Sequence, residues 1–575
     1  MASASFGTGA GRERAAMLGL LALAALGCAL GLVAKPTAGP HSGAGQMLDL
    51  VRVLSTVALA ISLLLGPGIV LRATIGRLRG AGLAFLPLPG LALLVLAGGL
   101  AWALAGEVDP ATTSLALLAP ALGLLLAGLL AAGSEEMLDR EERRALLVAG
   151  CVLGLAVGRA LWSLGPEGEL YGGTISRTLE VGDRSDSRIS FHIVQLIANG
   201  TAPYSELGGS YFNPYNFSSR GPLPGLASAP VVLLAGGRPP TSLPEAPWQP
   251  FDASGFMAYR LAMMAFACTA FVSLWDLTRR LAGPGAARLA LLLAATTPFL
   301  VHEVWFTWPK MLAASFVLLA AICLLERRAL LAGALVGLGY LAHPVALLSV
   351  PALALLALWP QARPDWRHPR VRQLLLLGVG MAAFLLAWRL INGDHYSQSG
   401  FVEYFQQAGG DFDPPLWPWI EFRLRSIANT LVPLLLPLAS ADNAAINVAG
   451  GTSPGAIHFF FQYWNAAPFG AAIVFFPLLL VGLWRAGRLW PWPVLTTVVL
   501  PFLVFAVYWG SSLTGMLREG LQTWVLTLFV VLGCWQARTG YGWLRSRPIR
   551  AILALRAVEV LAMATCRPWL PQAPC

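Results

Sequence analysis

Apolar stretches of about twenty residues recur along almost the whole chain, and they constrain the fold more than any other feature. A helix of about 20 apolar residues is long enough to cross the hydrocarbon core of a bilayer. With 57% hydrophobic and 12% charged residues, against about 45–50% and about 25% in soluble domains, the chain cannot fold as an ordinary water-soluble protein. We expect an all-α polytopic membrane protein with about 14 transmembrane helices. The predicted spans are 15–34, 50–71, 81–105, 110–133, 144–163, 256–278, 285–302, 309–325, 329–342, 344–360, 372–391, 467–484, 491–509 and 516–535.

Arginine clusters in short turns between these spans give the predicted topology. Examples are Arg140 with Arg143 and Arg144, and Arg279 with Arg280. Basic residues in short loops mark the cytoplasmic side. This explains the net charge of +10 without a nucleic-acid partner, which we do not expect. Residues 164–255 then lie outside, as a long first extracytoplasmic loop with juxtamembrane helices, and 392–466 form a second outer region.

The predicted organisation has five parts. They are N-terminal transmembrane helices at 1–143, a core at 144–391 that includes the loop 164–255, the outer region 392–466, C-terminal transmembrane helices at 467–550, and a surface helix or tail at 551–575. The composition, rich in Ala, Gly, Leu and Arg, is typical of a bacterial protein, so we expect the plasma (inner) membrane.

Two aspartates in the first outer loop are candidates for acid–base chemistry. Asp183 and Asp186 directly precede a helical pattern formed by Ile189, Ile193 and Leu196. A carboxylate at this place would lie at the membrane surface. An aspartate at a helix start is often only an N-cap, and that alternative stays open for both residues.

The same region resembles a known superfamily. The resemblance is carried by Asp186-Ser-Arg-Ile-Ser-Phe-His192, Ala198-Asn-Gly200 with Pro203-Tyr204, Tyr215-Asn-Phe-Ser-Ser-Arg220-Gly-Pro222-Leu223, Tyr259-Arg260-Leu261 and Arg279-Arg280-Leu281. In this order the motifs are similar to those of the GT-C superfamily of polyprenyl-phosphate-sugar-dependent glycosyltransferases, which includes protein mannosyltransferases and lipid A aminoarabinose transferases.

The resemblance implies an inverting transferase that moves a sugar from a lipid-phosphate carrier to an acceptor hydroxyl on the extracytoplasmic side. The transition state of such a reaction is oxocarbenium-like, and one carboxylate as general base on the acceptor is sufficient. Asp186 matches the family's acidic position better than Asp183 does. The chain has Asp186-Ser187 where the family often has Asp-Glu, so both aspartates remain candidates.

Lys310 is one of only two lysines in the chain, the other being Lys35. It lies at the mouth of a predicted span in Trp305-Phe-Thr-Trp308-Pro309-Lys310. Charge at a membrane helix is costly unless it faces a cavity, a partner or the headgroups. Lys310 could neutralise the carrier phosphate, or it could snorkel at an aromatic belt.

Further residues could line the same cavity. His343 lies at the next outer turn, in the region where the aminoarabinose transferases carry a lysine toward the lipid phosphate, and Arg518 resembles a late arginine directed at the donor. Each has an ordinary interfacial alternative. The remaining cavity candidates are Arg159, His192, Arg220, Arg260, His302 and Glu303.

The sequence contains no cysteine or histidine pattern typical of a metal site. Asp411 and Asp413 could take a divalent cation through oxygen ligands, but two carboxylates alone are a weak signal. No other cofactor is expected. The expected partners are a lipid-linked sugar donor, a glycan, lipid or protein acceptor, and the membrane.

Two other functions fit the same composition. A transporter or flippase of lipid-linked saccharides would place ionisable residues and broken helices near the membrane midplane. A polymerase or ligase would use a large late outer loop, for which 392–466 is long enough. The early acidic loop favours the transferase.

Overall fold

The computed structural model describes most of the chain in separate ranges. These are residues 7–33, 43–75, 78, 82–131, 137–163, 189–212, 217–219, 221–237, 255–358, 369–396, 415–431, 481, 484, 499–508, 521–539 and 546–565. Regular structure within these ranges is helical throughout, with no strand. The expected all-α class is therefore confirmed for the described residues.

Nineteen α-helices are named below in chain order. They are α1 (Gly7–Val33), α2 (Gly43–Thr74), α3 (Pro87–Ala103), α4 (Pro110–Ala131), α5 (Arg140–Ser163), α6 (Ile189–Asn199), α7 (Glu206–Phe212), α8 (Leu223–Leu234), α9 (Phe256–Ala267), α10 (Thr269–Ala295), α11 (Pro298–Trp305), α12 (Lys310–Leu325), α13 (Ala329–Ala342), α14 (Val350–Leu358), α15 (Pro369–Asn392), α16 (Leu416–Leu431), α17 (Leu500–Tyr508), α18 (Gln522–Thr539) and α19 (Arg547–Thr565). Short 3-10 turns add Leu83–Phe85, Phe217–Ser219, Pro344–Ser349 and Gly393–His395.

Seven helical stretches of the described ranges are long and apolar enough to cross a membrane, and the bent pair α11 and α12 would make eight. The predicted count of about 14 is not confirmed. Two predicted spans need correction. The span 285–302 ends early, because α10 stops at Ala295 and α11 starts anew at Pro298. The last span, predicted at 516–535, is the helix Gln522–Thr539.

The long stretch Phe256–Ala295 has a kink at Gly283. This residue has φ 82° and ψ 177°, a left-handed conformation that glycine adopts without a Cβ clash. A Cβ on Gly533 of α18 would lie 2.9 Å from the Ala286 carbonyl oxygen and 3.0 Å from Cγ2 of Thr278. In a straight helix, Thr278 and Ala286 would be about 12 Å apart along the axis. The stretch is therefore two helical segments that meet at a kink.

Several ion pairs lie close together where helices of the bundle end, and we call this region the arginine end. Arg72 of α2 lies 2.9 Å from Glu142 of α5, and Arg279 lies 2.7 Å from Asp139. Arg280 pairs with Asp276 at 3.1 Å, and Asp276 also accepts a hydrogen bond from the backbone N–H of Ala84. The arginine turns predicted to share one side do meet.

Lys310 lies far from the arginine end. It is the first residue of α12, and Glu326, which follows the last residue of that helix, pairs with Arg280. Sixteen helical residues span about 24 Å. His343 follows α13, which runs back, and its ring contacts Trp308 at 5.9 Å between centroids. Lys310 and His343 therefore share the opposite end of the bundle, as predicted.

Close helix packing relies on small residues. A Cβ on Gly333 of α13 would overlap the carbonyl oxygen of Leu377 on α15, and a Cβ on Gly380 would overlap that of Leu330. Such small-residue contacts let membrane helices approach closely. The short helices α6 and α8 are themselves buried, and a Cβ on Gly98 of α3 would overlap the Leu226 carbonyl of α8.

The C-terminal helix α19 has one buried and one exposed side. Val558 and Leu561 are exposed, whereas Arg556 and Val560 are buried. Arg556 donates a hydrogen bond to the hydroxyl of Thr297. Through this bond α19 contacts the turn between α10 and α11. Arg556 lies in the segment 551–575, which was predicted to be a surface helix or tail.

Candidate functional site

The break between α11 and α12 is the centre of the candidate site. The two helices bend by 115° across residues 306–309. Pro309 precedes α12 and lacks the N–H that a continuous helix would need. Thr307 adopts φ 62°, which is an outlier for a β-branched residue and costs about 1–3 kcal/mol.

Three buried cations meet the two tryptophans of this break. The Arg159 guanidinium lies 5.8 Å from the Trp305 ring centroid, and Arg260 donates a hydrogen bond from Nη2 to the Trp305 carbonyl oxygen at 3.1 Å. Lys310 Nζ lies 3.0 Å from the Trp308 ring centroid. All three side chains are buried, and Lys310 is fully so. The sequence predicted each as a cavity or phosphate-binding residue, and the structure brings them together.

His302 and Glu303 belong to the same group through α11. The His302 ring packs against Trp305 and Phe306, each with a centroid distance of 5.5 Å. Glu303 is 5% exposed. It supplies one acid against three cations, so this set of residues has an excess of positive charge.

His343 completes the group from the following turn. Its Nδ1 accepts a hydrogen bond from the Val345 backbone N–H at 3.1 Å, so a neutral His343 carries its proton on Nε2. The residues Arg159, Arg260, His302, Glu303, Lys310 and His343, with Trp305 and Trp308, are called the Lys310 cluster below.

Burying cations in this way favours an anionic ligand. Desolvating a charge costs several kcal/mol by general estimates, unless compensating charges or hydrogen bonds surround it. Aromatic faces offset part of this cost through cation–π attraction of about 2 kcal/mol or more when desolvated. An arriving anion would gain strong interactions in such a water-poor place. The buried cations of the Lys310 cluster thus provide positive charge that an anionic ligand would complement.

His192 lies in a different contact group. Its Nδ1 is 2.7 Å from Oε1 of Gln195, and its ring faces Tyr211 and Phe212. The preceding residue on α6, Phe191, contacts Tyr259 at 5.4 Å between centroids. Helix α6 thus connects the neighbourhood of Arg260 to a second set of aromatic residues.

That second set was not anticipated as a unit. Tyr204 stacks on His395 at 4.1 Å and donates a hydrogen bond to the side chain of Asn392. Ser218 donates to the His395 carbonyl at 2.9 Å, and Trp388 Nε1 donates to the Ser218 carbonyl at 3.1 Å. Burial raises the pKa of Tyr204 above its usual value near 10, so its hydroxyl remains a donor. The sequence signals for this set were Pro203-Tyr204 and the motif from Tyr215 to Leu223, which contains Ser218.

Several predicted site residues fall outside the described ranges. These are Asp183, Asp186, Arg220 and Arg518, together with Asp411 and Asp413. Their roles stay predictions. Among the residues that the structure does describe, no three His, Cys, Asp or Glu side chains come close enough to hold a metal ion.

Three residues in or near the Lys310 cluster were not predicted from the sequence. Trp305 and Thr307 were part of the quoted motif but were not singled out, and Arg556 lay in the segment read as a tail. The tryptophan–proline spacing around Lys310 was an available signal for the first two. Nothing in the sequence connects Arg556 to Thr297.

A multi-pass helical bundle with buried cations at a broken helix is a fold and site suited to a membrane-embedded transferase. Residues 251–388 match the family model of dolichyl-phosphate-mannose-protein mannosyltransferase, a GT-C-type glycosyltransferase domain. The predicted resemblance to GT-C enzymes is thereby confirmed over about a quarter of the chain. No curated protein and no solved structure gives a significant match.

The matched segment contains most of the Lys310 cluster. Arg260, His302, Glu303, Lys310 and His343 lie inside it, as do both tryptophans. Arg159 is contributed by α5, which lies before the match. The match supports glycosyltransferase activity in a membrane.

Proposed function

We propose that this protein transfers a sugar from a polyprenyl-phosphate carrier to an acceptor hydroxyl on the extracytoplasmic side of the bacterial plasma membrane. The convergence of Arg159, Arg260 and Lys310 on the α11–α12 break is the observation that supports this most strongly. Two of these cations lie in the segment that matches the mannosyltransferase family. Transfer from a lipid-linked donor is what that family's description indicates.

The proposed reaction needs positive charge at the leaving group. As the bond between the sugar C1 and the phosphate oxygen breaks, its electron pair stays on that oxygen and the carrier phosphate gains negative charge. Lys310 and the two arginines would stabilise this charge more in the transition state than in the bound donor. His343, with its proton on Nε2, and Arg518 are the further proposed phosphate contacts.

The acceptor side needs a base. We assign it to Asp186, with Asp183 as the other candidate. The acceptor oxygen attacks C1 from the face opposite the departing phosphate, so the configuration at C1 inverts. The proton of the acceptor hydroxyl passes to the aspartate, and the products are the glycosylated acceptor and the polyprenyl phosphate.

The proposed side of the membrane follows from the two ends of the bundle. The arginine end corresponds to the cytoplasmic face by the positive-inside rule. Lys310 starts a helix of 16 residues that leads to this end, about 24 Å long. The Lys310 cluster would therefore lie toward the outer leaflet.

Asparagine variants of the two aspartates test the proposed base. Asp186→Asn, Asp183→Asn and the double variant are assayed for sugar transfer in membranes supplied with lipid-linked sugars. We expect Asp186→Asn to lower kcat by about 100-fold or more. Asp109→Asn is the matched control, because Asp109 is an exposed carboxylate that caps α4. Normal transfer by both single variants and the double variant would disprove the general-base assignment.

A lysine variant tests the proposed phosphate contact. Lys310→Met keeps the length of the side chain and removes its charge. We expect binding of a polyprenyl phosphate to weaken by at least about tenfold, since a hydrogen bond to a charged group contributes about 1.5–3 kcal/mol. Unchanged affinity in a folded variant would show that Lys310 does not bind the phosphate and is only an interfacial anchor.

A flippase for lipid-linked saccharides is the second candidate, because a broken helix with buried charges is also a transporter feature. Transporter sites lie near the midplane, about 15 Å from either edge of a hydrocarbon core of about 30 Å. The length of α12 instead puts Lys310 about 24 Å from the arginine end. Reconstitution in vesicles decides between the two: translocation of a labelled polyprenyl-phosphate sugar without transfer to any acceptor would favour the flippase.

A further inference from the structure

We propose that the Thr307 hydroxyl and the Trp305 indole N–H bind the phosphate of the carrier lipid at the start of α12. This inference rests on the proposed function and adds two specific donors to its phosphate site. Neither residue was a predicted site residue.

Both groups are buried polar donors that lack a hydrogen-bond partner among the described residues. Thr307 is 0% exposed and Trp305 is 1% exposed, and neither Oγ1 of the threonine nor Nε1 of the tryptophan has a partner there. Leaving a buried donor unsatisfied is unfavourable, and native structures contain few such groups. Two such donors lie within three residues, at a helix break flanked by cations. This indicates a binding site for a ligand that accepts hydrogen bonds.

The backbone of Thr307 gives independent support. Its left-handed φ of 62° is one that glycine or asparagine would adopt with less strain. Strain of this kind clusters at ligand-binding sites, where the surrounding structure enforces it. A threonine at this position keeps a hydroxyl at the break at the expense of stability.

The start of α12 supplies further donors. Its first turn contains no acidic residue, and Pro309 provides no side-chain cap. The first backbone N–H groups of a helix have no acceptor within the helix, and the helix dipole favours an anion there. The Ala313 N–H bonds to the Pro309 carbonyl at 2.9 Å, so the helical hydrogen bonds begin beyond the first turn.

The chemistry of these groups identifies the ligand class. A hydroxyl, an indole N–H, the N–H groups of the first turn of α12 and the Lys310 ammonium are donors that lie close together in the chain. A phosphate accepts through several oxygens around one centre, whereas a carboxylate has only two oxygens. Given the apolar bundle around the break, we assign the ligand as the phosphate of a polyprenyl monoester.

Three variants of the full-length protein test this assignment. Thr307→Val removes the hydroxyl but keeps β-branching, so the backbone strain is matched, and Thr307→Ser keeps the hydroxyl. Trp305→Phe removes the N–H but keeps an aromatic ring for Arg159 and His302. The probe is a polyprenyl phosphate without a sugar, and its affinity for the detergent-solubilised protein is measured.

We expect Thr307→Val and Trp305→Phe each to weaken probe binding by about tenfold, from the loss of one charge-assisted hydrogen bond. Thr307→Ser is expected to stay within about threefold of the natural protein. Two controls remove the same groups at the arginine end and should not change the affinity. The first is Thr278→Val, because the Thr278 hydroxyl donates a hydrogen bond to the Leu274 carbonyl oxygen. The second is Trp275→Phe, because the Trp275 ring contacts Arg279.

The outcomes separate this inference from the proposed function. If Lys310→Met weakens binding while Thr307→Val and Trp305→Phe do not, the two donors are wrongly assigned and the proposed function stands. If the natural protein binds no polyprenyl phosphate, both proposals fail. Competition by millimolar inorganic phosphate supports recognition of the phosphate group itself. Binding that is displaced only by ordinary phospholipid vesicles would overturn the assignment to the carrier.

Discussion

The Arg260 guanidinium on α9 donates a hydrogen bond across 3.1 Å to the main-chain carbonyl oxygen of Trp305, the last residue of α11. A carbonyl at a helix C-terminus has no partner within the helix and carries partial negative charge. One buried cation therefore holds the end of α11 where the chain turns toward Lys310. The position of the break depends on a residue 45 positions earlier in the sequence.

Replacing Arg260 should disturb this break. Arg260→Gln removes the charge and is expected to lower the stability by about 1–3 kcal/mol, since the buried carbonyl would lose its partner. We expect a larger loss in sugar transfer than in stability, with kcat/KM falling at least about tenfold. Thermal unfolding and transfer kinetics are measured on the same preparation.

Arg389→Gln is the control for this change, because Arg389 is exposed and its guanidinium lies 4.9 Å from the Tyr396 ring centroid. Its transfer rate should be unchanged. Equal rates for Arg260→Gln and the natural protein would show that the break does not need this guanidinium.

The contact between α13 and α15 gives a prediction about packing. Gly333→Ala would push a methyl group into the Leu377 carbonyl, whereas a Cβ on Gly378 meets nothing within 4 Å. Overpacking costs about 1–3 kcal/mol, but glycine to alanine in an open helical position gains about 0.5–1 kcal/mol. We therefore expect opposite signs: Gly333→Ala lowers the unfolding temperature in detergent and Gly378→Ala raises it slightly. A decrease for both variants would contradict the packing described.

Asp139 at the arginine end gives a pH prediction. Burial alone would raise its pKa, but the Glu142 backbone N–H and the Arg279 guanidinium outweigh this and lower the pKa below its usual value near 3.8. A carboxyl with a lowered folded-state pKa stabilises the fold at neutral pH, and this contribution is lost as the pH falls below about 4. The pair is partly exposed, so we expect less than about 1 kcal/mol.

Asp139→Asn makes this pH prediction measurable. The unfolding temperature of the natural protein should fall more steeply than that of Asp139→Asn between about pH 5 and pH 3. The asparagine oxygen can still accept from the Glu142 N–H, which Asp139 accepts at 2.8 Å. Parallel curves for the two proteins would mean that the Arg279 pair does not contribute to stability.

Much of the fold could be predicted from the sequence, because the length and spacing of apolar stretches can be read from the local sequence. The first five predicted spans correspond to α1 to α5, and the arginine turns meet as the topology required. The predicted span 285–302 is wrong because α10 ends at Ala295 and α11 begins at Pro298. Hydropathy does not register this interruption, since Thr296 and Thr297 lower the mean hydropathy of a window of about 20 residues only slightly.

The candidate site was predictable as a set of residues but not as an arrangement. Scarcity singled out Lys310, and resemblance pointed to Arg260. Arg159 could be placed only as an isolated charge in a span. Arg159 and Arg260 contact Trp305 and Lys310 contacts Trp308, on the two sides of the 115° bend. Pro309 marks the break in the local sequence, whereas the hydrogen bond from Arg260 to Trp305 is a tertiary contact that the local sequence does not indicate.

The clearest case of a contact without a sequence signal is Arg556, which α19 places against Thr297. Its guanidinium also lies 5.3 Å from the Phe529 ring centroid of α18. One side chain therefore joins α19, α18 and the turn that precedes α11. Arg556→Gln should release α19, with a loss of about 2 kcal/mol, and should speed amide hydrogen exchange in this helix by about 30-fold. The exposed Arg550→Gln on the same helix is the control and should leave exchange unchanged.

A double-mutant cycle shows whether the Arg556 effect runs through Thr297. Thr297→Val removes the hydroxyl that accepts from Arg556 and that donates to the Leu293 carbonyl at 2.5 Å. If the two side chains act together, the double variant is less destabilised than the sum of the single variants, with a coupling of about 0.5–3 kcal/mol. Since Thr297 directly precedes α11, the same coupling should appear in the transfer rate. Additive effects on both quantities would mean that the effect of Arg556 does not run through Thr297.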